Sequence, residues 1–281
     1  MTRQRILLAR MAQWPILSAR RLIGLGPELR ARRGGVNWVL DLREGIDFSI
    51  FLLGAFERST LATYEKMVMP GMTVLDIGAN SGAHTLHLAR LVGDSGQVIA
   101  FEPTKWAIDK LNANINSNPD LASRIVVCQT MLSDTDGVAV PSSIHSSWPL
   151  APGEDVHPLL RARDMSTTGA VSKTLDSIMK ERDVMRVDFI KMDVDGYECQ
   201  VLDGMSETLE KFAPPILMEF SPYGFEEKGG SLENLMHFMK GIGYRFYRLG
   251  ENMPLPSEAA GISAYASTGG GFNVIAKPKS I

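Results

Sequence analysis

Two carboxylates and a glycine-rich turn stand at a spacing that could bind a nucleoside. Asp76 comes just before the turn, which carries Gly78, Asn80 and Gly82, and Glu102 follows 24 residues after Gly78. A carboxylate about 20 residues beyond such a turn is placed to accept hydrogen bonds from ribose hydroxyls. The turn lacks the Gly-x-Gly-x-x-Gly pattern that lets a backbone press against a pyrophosphate. The pattern therefore favours a ligand with a ribose and a positive charge but no phosphates, and S-adenosylmethionine is such a ligand.

The residues around this turn form the predicted cofactor site. They are Asp76, Gly78, Asn80, Gly82, Glu102, Ser133, Asp134 and Asp193. The glycines would let the backbone bend under the cofactor, and Asp76 and Asn80 would bind its amino-acid end, directly or through water. Glu102 would accept both ribose hydroxyls, and Asp134, beside Ser133, would accept from the adenine amino group. The alternatives are a plain strand-to-helix turn at the glycines and a plain turn at residues 133–137.

Polar side chains on later strands provide the candidate catalytic groups. Lys191, Asp193 and Glu219 lie in two apolar segments that have the pattern of neighbouring strands. A lysine in an apolar strand needs a partner, and a carboxylate at a strand end could orient or deprotonate an alcohol, which is a poor nucleophile at neutral pH. His145 is the candidate for a mobile general base, with a solvated loop histidine as the alternative. A buried structural ion pair at Lys191, and a Mg²⁺ ion held by Asp193 and Glu219, are further alternatives.

Alternating strands and helices would position these groups. Seven segments have the composition of strands, namely 73–77, 98–101, 125–129, 189–193, 216–220, 244–249 and 272–276. Helices are predicted among them at 82–92, 105–115, 175–180, 201–212 and 232–242. The alternation predicts an α/β fold with a Rossmann-like, doubly wound sheet of seven strands, as in class I methyltransferases. Ligands of such a sheet bind beyond the carboxyl ends of its strands.

The start of the chain differs from the rest in charge. Residues 1–33 carry eight arginines and one acid, a balance of +7, so the remaining residues must carry −10 to give the net charge of −3. Helical segments are predicted at 3–12 and 16–25, separated by Pro15. This start suits a nucleic-acid arm, a membrane-surface helix, a targeting peptide or a solvated helix that docks on the acidic body. We predict a basic helical extension and cap over residues 1–60 and a cofactor-binding domain over residues 61–281.

Apolar runs, cysteines and prolines indicate the cellular location of the chain and its long loops. No apolar run approaches the ~20 residues that a membrane-spanning helix needs. The two cysteines, Cys128 and Cys199, have no metal or redox spacing, which favours a reducing, cytoplasmic location. The proline- and serine-rich segment 141–173 is predicted to be a functional loop near the place where an acceptor would enter. Residues 250–271 form a second long connection.

These motifs together resemble the FkbM family of S-adenosylmethionine-dependent methyltransferases. They occupy segments 41–47, 54–57, 74–86, 98–103, 133–137, 190–198 and 219–220. The block from Lys191 to Glu198 is the most specific of them, although the family usually has Glu where this chain has Asp195. The resemblance covers residues 36–276. It implies O-methylation of hydroxyl groups, often on sugars or natural-product intermediates.

Several other functions remain as alternatives. Physical reasoning alone supports methyl transfer to an acceptor held between segment 141–173 and the N-terminal region, with positioning as the main source of catalysis. An RNA ribose methyltransferase would explain the basic start, but the body is acidic and an aromatic platform for stacking bases is missing, so nucleic acid is not the expected partner. A nicotinamide enzyme, a non-catalytic binding module on the same fold and a protein anchored to a membrane surface by its arginine helix are the others. A homo-oligomer also stays open.

Overall fold

The computed structural model describes residues 3–151, 156, 162–251, 253–263, 265 and 271–279, with the backbone alone for residues 3–7 and 263. The strands are β1 (Glu28–Arg33), β2 (Val36–Asp41), β3 (Thr73–Ile77), β4 (Gln97–Phe101), β5 (Ile125–Cys128), β6 (Thr130–Leu132), β7 (Ser143–Ser147), β8 (Arg163–Ser166), β9 (Val171–Lys173), β10 (Phe189–Met192), β11 (Ile216–Phe220), β12 (Tyr244–Arg248) and β13 (Phe272–Pro278). The helices are α1 (Arg3–Leu22), α2 (Gly45–Leu53), α3 (Arg58–Tyr64), α4 (Thr85–Val92), α5 (Lys105–Asn116), α6 (Pro119–Ala122), α7 (Leu175–Glu181), α8 (Glu198–Asp203), α9 (Ser206–Phe212), α10 (Pro222–Glu227), α11 (Leu232–Gly241) and α12 (Ala259–Ser263).

Seven strands form one central sheet in the order β12-β13-β11-β10-β3-β4-β5. The strands from β11 to β5 run parallel, whereas β13 is antiparallel to both β11 and β12. The chain winds outward from β3 in one direction through β4 and β5, and in the other through β10 and β11. This confirms the predicted α/β class and the Rossmann-like, doubly wound sheet of class I methyltransferases. The ends of β3 and β10 meet where the winding reverses, which is the usual place for a ligand.

Apolar side chains cover both faces of the sheet. Leu75 and Ile190 belong to a cluster with side chains of α7, α8, α9 and α11. Val74 and Phe189 belong to a second cluster with side chains of α4, α5 and β2. Successive strand residues point to opposite faces, so neighbours on one strand enter different clusters. With both faces buried, the strand ends are left as the place for polar chemistry.

The N-terminal region packs onto this body. β1 and β2 form an antiparallel hairpin, and Trp38 of β2 lies in the second cluster. α1 is one continuous helix, so the predicted break at Pro15 is wrong. Contacts on one side of α1 explain this, because Ile16 packs with Leu42, and the Gln13 side chain donates to the Leu42 carbonyl oxygen at 2.6 Å. The domain boundary at residue 60 stays a prediction.

Segment 141–173 contains strands where the sequence predicts a loop. β7 pairs antiparallel with β8, and β6, just before the segment, pairs parallel with β9. Residues 152–155 and 157–161, with Pro152 and Pro158, lie outside the described residues. The second long connection is described only in part, since residues 252, 264 and 266–270 also lie outside.

The helix predicted over residues 201–212 is interrupted at Gly204. α8 ends just before this glycine and α9 begins two residues after it. A Cβ at Gly204 would lie 2.0 Å from the carbonyl oxygen of Ser133. The backbones therefore approach each other at a distance that only glycine allows.

Candidate active site

A cavity of about 250 Å³ opens at the carboxyl ends of β3, β4, β10 and β11. Its lining includes the turn after β3, the residues after β4 and β10, and part of β7. The sheet order brings together groups that are far apart in sequence. The Lys191 ammonium, for example, donates to the Gly78 carbonyl oxygen at 3.0 Å across 113 residues.

Close approaches shape the glycine turn. Gly78 has a φ of +78°, and a Cβ there would lie 1.8 Å from the carbonyl oxygen of Asp193. Asn80 has a φ of +47°, and its side-chain amide donates to the Ser146 carbonyl oxygen of β7 at 2.7 Å. Gly82 is not part of the described cavity lining, and a Cβ there would lie 2.6 Å from the Leu111 side chain. Gly78 and Asn80 therefore build the cavity wall, whereas Gly82 makes room for α5.

Glu102 directly follows β4 and lines the cavity. Its Oε2 accepts from the Asn80 backbone N–H at 3.0 Å, and its Oε1 accepts from the backbone N–H and the hydroxyl of Thr104 at 2.9 and 2.6 Å. Burial raises the pKa of the Glu102 carboxyl, against the opposing effect of these donors. A carboxylate has about four acceptor positions, which leaves about one for a ribose hydroxyl.

Lys191 is the positive charge at the centre of the site. Its ammonium lies 3.6 Å from Asp76 Oδ1 and 3.8 Å from Asp193 Oδ2. Burial alone would lower the pKa of Lys191, but the carboxylates of Asp76 and Asp193 outweigh it and the net shift is upward. Asp76 is fully buried, accepts a 2.6 Å hydrogen bond from the Thr85 hydroxyl and is absent from the described cavity lining. Asp76 therefore does not contact the cavity directly, but it pairs with Lys191, which lines the cavity.

Three carboxyl groups gather beside this lysine. Asp193, Asp195 and Glu219 each offer an oxygen within 4.8 Å of the others, which adds Asp195 to the pair predicted from sequence. Burial, and repulsion by Asp193, raise the pKa values of Asp195 and Glu219 well above their ordinary range. In the same turn, Glu198 accepts from two backbone N–H groups, and burial raises its pKa to about 7. Glu198, beside the three carboxyl groups, can thus gain or lose a proton near neutral pH.

Glu57 and His84 also line the cavity. Of the two, only His84 is expected from sequence to line a cofactor pocket, with a helix cap as the alternative, because it directly follows the glycine turn. Glu57 has a φ of +45°, which is rare for a residue with a side chain, and its Oε2 accepts hydrogen bonds from Thr60 and Asn273. His84 Nε2 lies 4.0 Å from the same oxygen, and burial lowers the pKa of this histidine well below its usual value. Glu57 belongs to the family-like segment 54–57, but its contact with Asn273 of β13 arises only in the folded chain.

The remaining predicted residues divide into two groups. His145 lines the cavity, but it lies on β7 rather than in a loop, with Nδ1 2.6 Å from Asp164 of β8. Ser133 and Asp134 do not line the cavity, and Ser133 donates to the exposed Asp134 at 3.1 Å. All three residues of β6 line the cavity, but the chain turns away after Leu132, where the Ser133 N–H donates to the Lys173 carbonyl oxygen of β9.

The cavity carries more acidic than basic groups. Among the described lining residues, the acids are Glu57, Glu102, Asp193, Asp195 and Glu219, and the bases with permanent or strongly held charge are Arg10, Lys191 and Lys228. His84 adds no charge near neutral pH, because its pKa is low. When Asp195 and Glu219 are ionised, the lining has a negative excess, and such an excess favours a ligand that carries a positive charge.

The family model of the methyltransferase FkbM domain matches residues 76–246 of the chain, which is more than half of its length. The match begins at Asp76 and includes the glycine turn, Glu102 and the acidic group around Lys191.

Three curated relatives match part of the chain. Methyltransferase sdnD of Sordaria araneosa is 29% identical over 159 residues, which are 48% of this chain and 60% of the relative. The probable cobalt-precorrin-6B C(15)-methyltransferase (decarboxylating) of Thermoplasma acidophilum is 28% identical over 112 residues, 37% of this chain and 55% of the relative. The hexuronic acid methyltransferase AglP of Haloferax volcanii is 28% identical over 138 residues, 48% and 50% of the two chains. The chain thus spans about half the length of these relatives.

Among solved structures, the methyltransferase FkbM from Methylobacillus flagellatus KT aligns with a TM-score of 0.49 and 17% identity, over 79% of this chain and 48% of that chain.

Proposed function

The chain belongs to the FkbM methyltransferase family, and we propose that it transfers a methyl group from S-adenosylmethionine to a hydroxyl group of a small molecule or sugar. One observation carries the proposal. A single cavity joins a glycine turn and a ribose-type acid, Glu102, to a lysine–carboxylate group at Lys191. The first part suits a nucleoside and the second suits proton transfer from an alcohol.

The residues present fit S-adenosylmethionine. Glu102 keeps acceptor capacity toward the cavity, and the glycine turn lines the cavity at Gly78 and Asn80. The acids of the lining, when ionised, complement the cofactor's positive charge. When bound, S-adenosylmethionine supplies a methyl group on a positively charged sulfur that an acceptor oxygen can attack. Glu102 would hold the ribose and Asn80 the amino-acid end. The sequence-based roles of Asp76, Ser133 and Asp134 would then be indirect, because these residues do not line the cavity.

Asp193 is the proposed proton acceptor on the other side of the cavity. Its side chain is 29% exposed and faces the lining, while Lys191 holds it from behind at 3.8 Å. The acceptor hydroxyl would give its proton to Asp193 as its oxygen bonds to the methyl carbon, and Lys191 would fix the carboxylate in place. Glu219 or Asp195, when ionised, would then take the proton from Asp193, because a raised pKa makes that carboxylate the stronger base. His145 lines the cavity and stays a second candidate base.

The class of acceptor is inferred from the names of the relatives and from the acids of the cavity. AglP, by its name, acts on a hexuronic acid, and the cobalt-precorrin relative on a carbon atom. A hydroxyl acceptor is favoured here because carboxylates able to take a proton stand beside the cavity, as an alcohol requires. Mg²⁺ at Asp193, Asp195 and Glu219 is the alternative way to activate an alcohol, although the Lys191 ammonium already supplies positive charge there.

Isothermal titration with S-adenosylhomocysteine tests the donor site. We expect micromolar binding that Glu102→Ala weakens at least about tenfold, or about 1.4 kcal/mol. Glu233→Ala, at an exposed position of α11, should leave the affinity unchanged. Asp134→Ala should also have little effect, because Asp134 lies off the cavity; a large effect would restore its predicted contact with adenine.

The same preparation separates the remaining alternatives. Thermal unfolding of Glu102→Ala shows whether lost affinity reflects lost folding, since Thr104 and Asn80 depend on this carboxylate. If the folded wild-type chain binds no S-adenosylhomocysteine, the donor proposal fails and a non-catalytic binding module becomes the better interpretation. Methylation assays with hydroxyl acceptors, with and without EDTA, then decide whether Asp193 activates the hydroxyl alone or a metal ion takes part.

A further inference from the structure

α1 has two apolar faces, and only one of them is covered. On the inner face, Ala9, Ala12, Ile16 and Leu17 pack against Leu42, Phe48 and Leu150. The Arg10 guanidinium also donates to the Leu150 carbonyl oxygen, which fixes the helix against the body. The orientation of α1 is therefore set by its own contacts, and its outer face is a fixed surface.

The outer face carries large apolar side chains at helical spacing. Leu8, Met11, Trp14 and Leu22 are between 65% and 87% exposed. Residues separated by three, four, seven or eight positions lie along one side of a helix, so most of these side chains form a single row. The row continues past the end of α1 into Ile23 and Leu25, which are also exposed. We call these six residues the outer row of α1.

Exposed arginines lie on the helix that carries the outer row and on the strand after it. Arg21 is at the end of α1, and Arg30, Arg32 and Arg33 are on β1, which begins at Glu28. Within the part of the chain that the structure describes, these four arginines form no ion pair with a carboxylate. Residues 1–33 carry +7 in total, so the surface combines exposed apolar area with positive charge that is not neutralised locally.

We propose that the outer row of α1 docks on an anionic phospholipid surface. A helix with apolar side chains on one side and arginines beside them lies in the plane of a bilayer, with the apolar row among the acyl chains and the arginines at the phosphates. Trp14, on the outer row, is of the residue type enriched at that boundary. No helix of the described residues is long and apolar enough to cross a bilayer, so the contact would be a surface contact.

The positive charge of this surface favours a lipid surface over a second copy of the chain as the partner of the outer row. A symmetric dimer would bring the same patch of both subunits together, and with it two sets of like-charged arginines. An anionic lipid surface instead attracts each of these arginines, and the attraction weakens as salt is added. The observed combination of residues therefore fits a lipid surface better than self-association.

Vesicle flotation of the intact chain tests the proposal. Vesicles of phosphatidylcholine alone are compared with vesicles of phosphatidylcholine mixed with phosphatidylglycerol, at low and high salt. We expect binding to the mixed vesicles only, reduced by salt and weakened at least about tenfold by the double replacement Trp14→Glu and Leu22→Glu. Met185→Glu is the matched control, because Met185 is equally exposed but lies outside the outer row.

Tryptophan fluorescence gives an independent readout. Of the four tryptophans, all within the described residues, only Trp14 is exposed. Its emission should shift to shorter wavelength with mixed vesicles, and the shift should be absent in Trp14→Phe, which should still float with the vesicles. Failure to bind mixed vesicles, equal binding to neutral vesicles, or full binding by the double variant would each overturn the proposal. Light scattering that shows a dimer broken by the double variant, without vesicle binding, would assign the outer row to a second copy.

Discussion

At the scale of single residues, the site depends on how one lysine is balanced by its carboxylates. Asp76 is fully buried, and its Oδ1 has no hydrogen-bond partner among the described residues; the Lys191 ammonium lies 3.6 Å away. A buried charge that loses its partner is far more costly than a pair removed as a whole. Lys191 is therefore expected to matter for folding as well as for the geometry of Asp193.

Replacing Lys191 by Met should lower the free energy of unfolding by about 3–5 kcal/mol, because Asp76 would stay buried without a cation. Adding Asp76→Asn should recover part of that loss. Urea unfolding of the wild type, both single variants and the double variant measures the coupling between the two residues. Lys105→Met is the control, since its partner Asp109 is exposed and the change should cost about 1 kcal/mol or less. If the loss of unfolding free energy in the double variant equals the sum of the two single losses, Lys191 and Asp76 are not coupled and this explanation is wrong.

The residues that could be predicted from sequence are those whose position follows from strand direction alone. Gly78, Glu102, Asp193 and Glu219 stand at or near the ends of strands that stay in the central sheet, and the structure brings them to one cavity. Ser133 and Asp134 fail this rule because the chain turns away from the cavity after β6, where the Ser133 N–H donates to the Lys173 carbonyl oxygen. Glu57 could not be given a role from sequence, since Asn273, its hydrogen-bond partner, is 216 residues away.

At the scale of secondary-structure elements, β7 and the residues after it close one side of the cavity. The Asn80 side chain donates to the Ser146 carbonyl oxygen, and the Ser146 hydroxyl lies 2.9 Å from that of Thr104. On the other side, Ser147 donates to Glu44 at 2.9 Å, and the Gly45 N–H donates to the Trp148 carbonyl oxygen at 2.8 Å. The strand thus links the glycine turn to the N-terminal region.

Asn80→Gly should loosen β7 while leaving the turn intact. Glycine accepts the φ of +47° at this position and keeps the backbone N–H that binds Glu102. The variant removes the side-chain bonds to Ser146 and the bond that Asn80 Oδ1 accepts from the Ser81 N–H. Backbone amides of residues 143–147 should exchange with solvent faster, by about a factor of 5 or more, in hydrogen-exchange mass spectrometry. Ser146→Ala keeps the carbonyl acceptor and should change less. Equal protection in Asn80→Gly and the wild type would show that other contacts hold β7.

Long-range contacts also explain which elements the sequence could not predict. Pro15 removes a helical hydrogen bond and predicts a break, but the inner contacts of α1 keep the helix continuous. Segment 141–173 has the prolines of a loop, yet β7 and β8 pair with each other. The alternation of buried strands and helices, by contrast, is a local pattern, and the central sheet follows from it.

At the scale of the whole molecule, charge is divided between a basic N-terminal region and an acidic body. Residues 1–33 carry +7 and the others −10, and five acids of the body line the cavity. Arg21, Arg30, Arg32 and Arg33 are exposed and suit an anionic partner, while the acids surround the proposed donor site. A ligand with an extra positive charge should therefore bind the cavity more tightly than a neutral analogue of the same shape.

This argument has a definite dependence on pH. Burial raises the pKa of Glu198 to about 7, and burial with repulsion raises the pKa values of Asp195 and Glu219. An acid with a raised pKa is neutral below that pKa and becomes negative as the pH rises through it. The cavity and its surroundings thus gain negative charge on going from about pH 6 to about pH 8. S-adenosylmethionine has a positive sulfur where S-adenosylhomocysteine has a neutral one, so only the former gains affinity through that charge.

The ratio of the dissociation constant of S-adenosylhomocysteine to that of S-adenosylmethionine should therefore rise between about pH 6 and about pH 8, by up to about tenfold. Taking the ratio cancels the titration of the amino-acid end that both ligands share. Isothermal titration of both ligands at the two pH values measures it, with Glu198→Gln expected to flatten the change and the exposed Glu233→Gln expected to leave it intact. A ratio that stays constant or falls would mean that these acids do not face the sulfur. The donor would then have to lie in the cavity with its sulfur turned away from Asp193. In that position Asp193 would be too far from the reacting oxygen to act as the base.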